Sequence, residues 1–292
     1  MRILGTSNLS SSFWASNRLL LFLFGALAAT AALAQGSPGD LLVAPTRVVL
    51  EGRQRTAEIT LVNTGPSAAT YRISLINLRM DEHGGTQEVE ASGAQPGEHF
   101  ATDLIRFSPR QVTLEPHAAQ TVRIQARKPA ELEAGEYRSH LQFRAIPSNA
   151  PAVKGPESST ALSVHLTIIY GVSIPIIVRQ GETSAEATLS ALELVPPAGD
   201  EKGPTLRFQI NRTGNRSVYG DLSVMFVPAG GKTSMVGRVN GIAVYTPNAE
   251  RIAGIVLQIP PGVVLKNGLL RLAYKKQDKG LGALATAELR LP

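Results

Sequence analysis

The chain has 292 residues, with 29 lysines and arginines against 23 acids, a net charge of +6, and no cysteine. Without thiols there is no thiol nucleophile, cysteine metal site or disulfide. The mild basic surplus, with no Lys/Arg-rich run interleaved with aromatics, gives no footing for a nucleic-acid partner.

The first 34 residues do not enter the fold. Arg2 and Arg18 flank a segment without acids, the apolar run "LLLFLFGALAATAALA" follows, and Ala32-Leu33-Ala34 ends it. A positive start, an apolar stretch and an A-x-A site read as a cleaved secretory signal peptide, so the mature protein is exported and not held in the membrane. Its removal takes away two arginines and no acid, lowering the net charge from +6 to +4. The 258 residues left suit two domains, and a chain of that length buries enough surface to fold without disulfides.

From Leu41 onward short alternating runs are separated by turn residues, with no long helical period. They are "LLVAPTRVVL", "RTAEITLVNT", "ATYRISLINLRM", "IRFSPRQVTL", "QTVRIQARK" and "EYRSHLQFRAI", followed by a long stretch from Ala161 to Val178. About seven strands at this spacing predict an immunoglobulin-like sandwich over residues 35–178. Asp81 to Asp103 and the segment from Pro147 read as exposed loops. "RQGETSAEA", from Arg179, marks a boundary. The second half, 179–292, repeats the all-β grammar, with a turn at Arg212–Arg216 and hairpin signals at Asn240-Gly241 and Asn267-Gly268. The fold class is therefore all-β, two β-sandwiches in series.

"ALSVHLTIIYGVSIPIIV" is the anomalous element. Leu162, Val164, Leu166, Ile168, Tyr170, Val172, Ile174 and Ile176 alternate with mostly small or polar residues. That is a strand with one apolar face, yet it would run roughly 50 Å where strands of about 17–20 Å are usual. No catalytic or cofactor motif accompanies it. His83, His99, His117, His140 and His165 share no metal-ligand spacing, and no nucleophile elbow, phosphate loop or dinucleotide glycine pattern occurs. A binding protein is expected rather than an enzyme, with no metal and no cofactor.

The order of these runs resembles the periplasmic pilus-assembly chaperones of chaperone–usher systems, the PapD-like family of two sandwiches. "PTRVVLEG", "EITLVNTG", "SPRQVTLEPHAAQTVRI" and "GEYRSHLQFRAIP" carry the likeness, with "INRTGNRSVYG" in the second domain. Gln142 departs from the asparagine or cysteine usual in the family's signature strand. The resemblance implies a client: a pilus or fimbrial subunit that lacks its last strand and is completed by the chaperone's own, then passed to an outer-membrane usher. The donor residues would be Leu162, Val164, Leu166, Ile168 and Tyr170, with Val172 to Ile176 packed in the chaperone's own sandwich. Burying four such side chains contributes on the order of 6–12 kcal/mol before ordering costs. Self-association through this strand is another way to protect such an edge.

The resemblance also implies a carboxylate anchor at Arg47. The family's companion lysine falls on Pro175 here, so either Arg47 acts alone, or another base such as Arg106 or Arg123 fills in, or the client is held differently. A third implication is a structural triad at the domain boundary of Glu136, Arg179 and Asp278. The competing reading is an exported structural or adhesive two-domain immunoglobulin-like protein, since sandwiches host many functions. The long strand paired with Arg47 is what distinguishes the two.

Overall fold

The computed structural model describes residues 40–147, 169–197, 199, 202–277 and 282–292. The expected donor residues Leu162, Val164, Leu166 and Ile168, together with His165 and Asp278, fall outside them, as does the leader. The first sandwich contains β1 (Leu41–Ala44), β2 (Val48–Leu50), β3 (Thr56–Asn63), β4 (Ala69–Ile76), β5 (Leu78–Met80), β6 (Thr86–Glu88), β7 (Ile105–Ser108), β8 (Gln111–Leu114), β9 (Ala119–Ala126), β10 (Gly135–Ile146) and β11 (Gly171–Gln180). One sheet runs β1-β3-β9-β7; the other runs β2-β11-β10-β4-β8. Their inner faces interdigitate around Leu50, Ile59, Leu61, Tyr71, Leu141 and Phe143. Alternation along each strand puts these apolar residues on one face, and burial of that face is what joins the two sheets.

Two of the alternating runs are each two strands in different sheets. "LLVAPTRVVL" divides into β1, paired with β3, and β2, paired with β11; "IRFSPRQVTL" divides into β7 on β9 and β8 on β4. A proline interrupts each run and cannot donate to a ladder, so the chain leaves one sheet there and joins the other. Between β4 and β5 the break is Asn77, buried, whose carbonyl oxygen accepts from the hydroxyls of Thr102 (2.8 Å) and Ser139 (2.7 Å).

The segment Asp81–Asp103, expected as a loop, is more structured. β6 returns on β5, and Glu98 is buried against Arg79, whose Nε donates to it at 3.1 Å. Burial pushes the Glu98 carboxyl up, but hydrogen bonds from Arg79 and the Gln95 backbone N–H outweigh it and hold the group below the usual carboxylate range.

The second sandwich contains β12 (Ala185–Val195), β13 (Thr205–Gly214), β14 (Val218–Pro228), β15 (Ser234–Val244), β16 (Glu250–Val256), β17 (Gly268–Lys276) and β18 (Ala283–Leu291), in sheets β12-β13-β16 and β15-β14-β17-β18. Its separate core is built on Leu206, Phe208, Ile210, Leu222, Leu272 and Tyr274. The turn expected at Arg212–Arg216 forms later, between Gly214 at the end of β13 and Val218 at the start of β14. Asn240-Gly241 is not a hairpin: β15 runs straight through it. The positive φ of Gly241 (73°) is used opposite a register shift at Gly220/Leu222, where the Gly241 N–H donates to Asp221 Oδ1. The dipeptide there makes a bulge, which needs the same backbone freedom as a tight turn. Asn267-Gly268 opens β17 after an irregular segment, and a Cβ on Gly268 would lie 2.6 Å from the Val227 carbonyl oxygen. Among the described residues no helix is long and apolar enough to cross a membrane.

Candidate client cleft and open strand edge

The outer face of the five-stranded sheet carries the candidate site. Along β10 the inward side chains Tyr137, Leu141 and Phe143 alternate with outward Glu136, Arg138 and His140, yet all six are buried. The second sandwich covers that end of the outer face, with Met80 and Ile177 packed against Ala243 and Tyr245. Arg138 stacks its guanidinium 4.2 Å from the Tyr245 ring centroid and donates to the Leu78 carbonyl at 2.9 Å. His140 meets the same ring edge-on at 6.4 Å, and its Nδ1 is buried with no partner among the described residues. Burial, with Arg138 beside it, pushes the His140 pKa down to about 3, so the imidazole is neutral.

At the margin of this contact a cleft of about 550 Å³ opens between β2, β14 and β17, lined in part by Arg47, Glu51, Arg179, Arg216, Tyr219 and Lys276. Arg47 follows Pro45 and Thr46 in the link between β1 and β2, and points outward because Val48 points in. Its guanidinium lies 4.3 Å from the Tyr219 ring centroid, and Nη1 is buried without a hydrogen-bond partner among the described residues. A buried N–H donor without an acceptor costs about 1–3 kcal/mol, and an anion entering the cleft would relieve that cost. Arg106 and Arg123 line a different groove on the other sheet, where Arg123 pairs with Glu58. The cations that share the cleft with Arg47 are Arg179, Arg216 and Lys276. Lys276, at the end of β17, and Arg216, in the turn before β14, are residues that sequence reasoning did not single out, because they come from the other sandwich.

Arg179 does meet Glu136: its Nε donates to Oε2 at 3.0 Å, and Nη1 donates to Glu51 Oε2 at 2.8 Å. Asp278 lies outside the described residues; the second acid seen on Arg179 is Glu51, two positions beyond Val49 on the same outward face. Its hydrogen bond from Arg179 holds the Glu51 carboxyl below the usual range. Across to the second sandwich the Ser217 hydroxyl donates to Glu136 Oε1. The link between sandwiches at this point is therefore a hydroxyl on a buried carboxylate.

The remaining feature is an unsatisfied edge. β2 pairs with β11 in parallel over Ile176–Val178 alone, so Gly171 to Pro175 have β10 on one side and no described strand on the other. Pro175 lies one step beyond the Ile176–Val48 pair, beside Arg47, and opposite His140 on β10. Ile174, Ile176 and Val178 pack in the core, whereas Tyr170 (44 % exposed) and Val172 (38 %) on the same face are open. Val172 thus departs from the expectation that it packs within its own sandwich; packing begins at Ile174, where the two sheets close on one another.

The model for the N-terminal domain of the pili and flagellar-assembly chaperones, the PapD N-terminal domain, matches residues 40–180. This is the first sandwich, from the residue before β1 to the end of β11. The first sandwich is that of the PapD-like pilus-assembly chaperones. Solved structures with a similar course include the Pseudomonas aeruginosa CupB2 chaperone (14 % identity, 86 % of this chain and 100 % of that one, TM-score 0.43). Others are the CsuC–CsuE chaperone–tip adhesion subunit pre-assembly complex of Acinetobacter baumannii (12 %, 86 % and 99 %, 0.42) and the Salmonella enterica SafA pilin in complex with the SafB chaperone (15 %, 87 % and 97 %, 0.41). No curated protein sequence matches the chain. Among the described residues no group of three or more His, Asp or Glu is placed to hold a metal.

Proposed function

We propose that this PapD-like chain is a periplasmic chaperone that holds pilus or fimbrial subunits by donor-strand complementation and hands them to an outer-membrane usher. The observation that carries this reading is the juxtaposition of the open β11 edge, Gly171 to Pro175, with the orphaned Arg47 guanidinium in a cation-lined cleft. An open edge is a template for an added strand: the backbone ladder supplies affinity and alternate side chains supply specificity. Upstream of that edge the sequence offers Leu162, Val164, Leu166 and Ile168 in the alternation such a strand needs, and Tyr170 continues it.

Arg47 is the anchor for a terminal carboxylate of the client, and Lys276 and Arg216 stand in for the missing lysine at Pro175. The mechanism needs no nucleotide. The chaperone shields an incomplete sandwich, and release follows when a better-fitting strand displaces its own. Glu136, Arg179 and Glu51 keep the cleft wall in place.

The experiment is co-purification with a pilin subunit that lacks its own last strand. Leu166→Glu with Ile168→Glu should abolish it while the chaperone still folds. Arg47→Ala should weaken it by about 30-fold or more, the loss expected when a desolvated charge pair is cut. Unchanged subunit yield with both variants would overturn the reading in favour of a structural exported module.

A further inference from the structure

The outer face that is buried under the second sandwich at Glu136–His140 continues into the open beyond Gln142. There Arg144 of β10 stands directly opposite Arg72 of β4, and both are exposed. The same rung runs on to Gln111 of β8 on one side and Gly171 of β11 on the other. Neither arginine has an ion pair or side-chain hydrogen bond among the described residues, and no carboxylate occupies an outward position of β4, β8, β10 or β11 in this half of the sheet. Like charges placed directly across a ladder destabilise it. Two such guanidiniums without a counter-charge make a ready site for carboxylate oxygens.

Their place in the sheet says where the carboxylate comes from. The rung ends at Gly171, on the open edge of β11, and glycine places no side chain between Arg144 and that edge. A strand added there would set one of its outward side chains next to Gly171, within reach of Arg144. We propose that Arg144, backed by Arg72, reads an aspartate or glutamate at that position of the client strand and so sets which subunits the edge accepts. This rests on the strand-addition reading above. A second copy of this chain is disfavoured as occupant, because its own matching face is cationic.

The test compares Arg144→Glu, Arg144→Gln, Arg72→Glu and Arg47→Ala in binding the pilin subunit that co-purifies with the wild-type protein, at 50 and 300 mM NaCl. Arg144→Glu should lower affinity at least tenfold at low salt and flatten its salt dependence, with Arg144→Gln intermediate. Exchanging the matching client acid for lysine should restore binding to Arg144→Glu. Arg72→Glu should weaken the client about threefold yet raise the melting temperature of the free protein, since it turns a repulsive rung into an ion pair. If both Arg144 variants keep affinity and salt slope while Arg47→Ala weakens binding, the Arg144 assignment fails and the strand-addition reading stands. If no variant matters, the strand-addition reading falls with it. If Arg144→Glu loses heparin binding alone, the face serves sulfate or phosphate polyanions and the proposal is overturned.

Discussion

Replacing His140 with glutamine should flatten the acid side of the stability curve, because this imidazole is held neutral between the two sandwiches. Its pKa is about 3 in the folded protein against 6.5 when exposed, lowered by burial under Tyr245 and by the neighbouring Arg138. Above pH 6.5 both states carry a neutral ring and pH has no effect. Below it the unfolded chain takes up a proton that the folded chain refuses, so stability falls as pH drops toward 3. At about 1.4 kcal/mol per unit, lowering the pH from 7.5 to 5 costs about 2 kcal/mol through this one residue. Arg138 and Tyr245, which face it, do not change charge over that range. The window between pH 6.5 and 4.5 isolates the histidine, because the depressed carboxyls Glu51 and Glu98 contribute stability that is lost as pH falls below about 4.5. Urea midpoints of the wild type and His140→Gln at pH 7.5, 6, 5.5 and 5 are the assay. The wild-type curve should lose about 2 kcal/mol relative to the variant across that series, whatever the offset between them at pH 7.5. Parallel curves would refute the placement of a neutral imidazole at this interface.

Three further substitutions probe other parts of the fold. Gly220→Ala should destabilise by about 2 kcal/mol or more and lower the melting temperature, since its Cβ would lie 2.1 Å from the Lys275 carbonyl oxygen; Gly230→Ala, where the space is open, is the control. Glu98→Gln removes the charge that Arg79 is held against and should cost about 1–3 kcal/mol, read as faster amide exchange across residues 85–98 with β3 and β9 unaffected. Ser217→Ala leaves a buried Glu136 oxygen without its donor from the second sandwich. It should cost about 1–2 kcal/mol and widen the distance distribution between spin labels placed one on each sandwich.

Core positions were the legible part of this chain. In β3, β9 and β10 the period-2 alternation names the inward residues, because one buried face is a local property of the strand. Proline positions carried more than the runs around them: Pro45 and Pro109 mark where the chain changes sheets, which alternation by itself does not register. The outward face of β10 was not legible. Glu136, Arg138 and His140 alternate as solvated residues do, and they are buried because a second sandwich, a hundred residues downstream, lies on them. The same reason hides Lys276 and Arg216. A cleft assembled from two domains gathers side chains with no shared spacing, so Arg47 and Arg179 were reached through family likeness while Lys276 and Arg216 are recognisable only in the folded protein. Asn240-Gly241 shows a local signal with two outcomes, since a bulge and a hairpin ask the same φ of glycine.

The placement of Arg47 has a consequence for timing. It sits in the link between β1 and β2, and the strand that fixes β2 is β11, reached more than a hundred residues later. So long-range a closure is among the slow steps of folding a sandwich. Until the last strand of the first domain has come home, the arginine hangs from one ladder and the cleft it belongs to does not exist. On the proposed reading, a half-folded chain of this kind has no anchor for a subunit, and its competence to bind arrives together with its own completion.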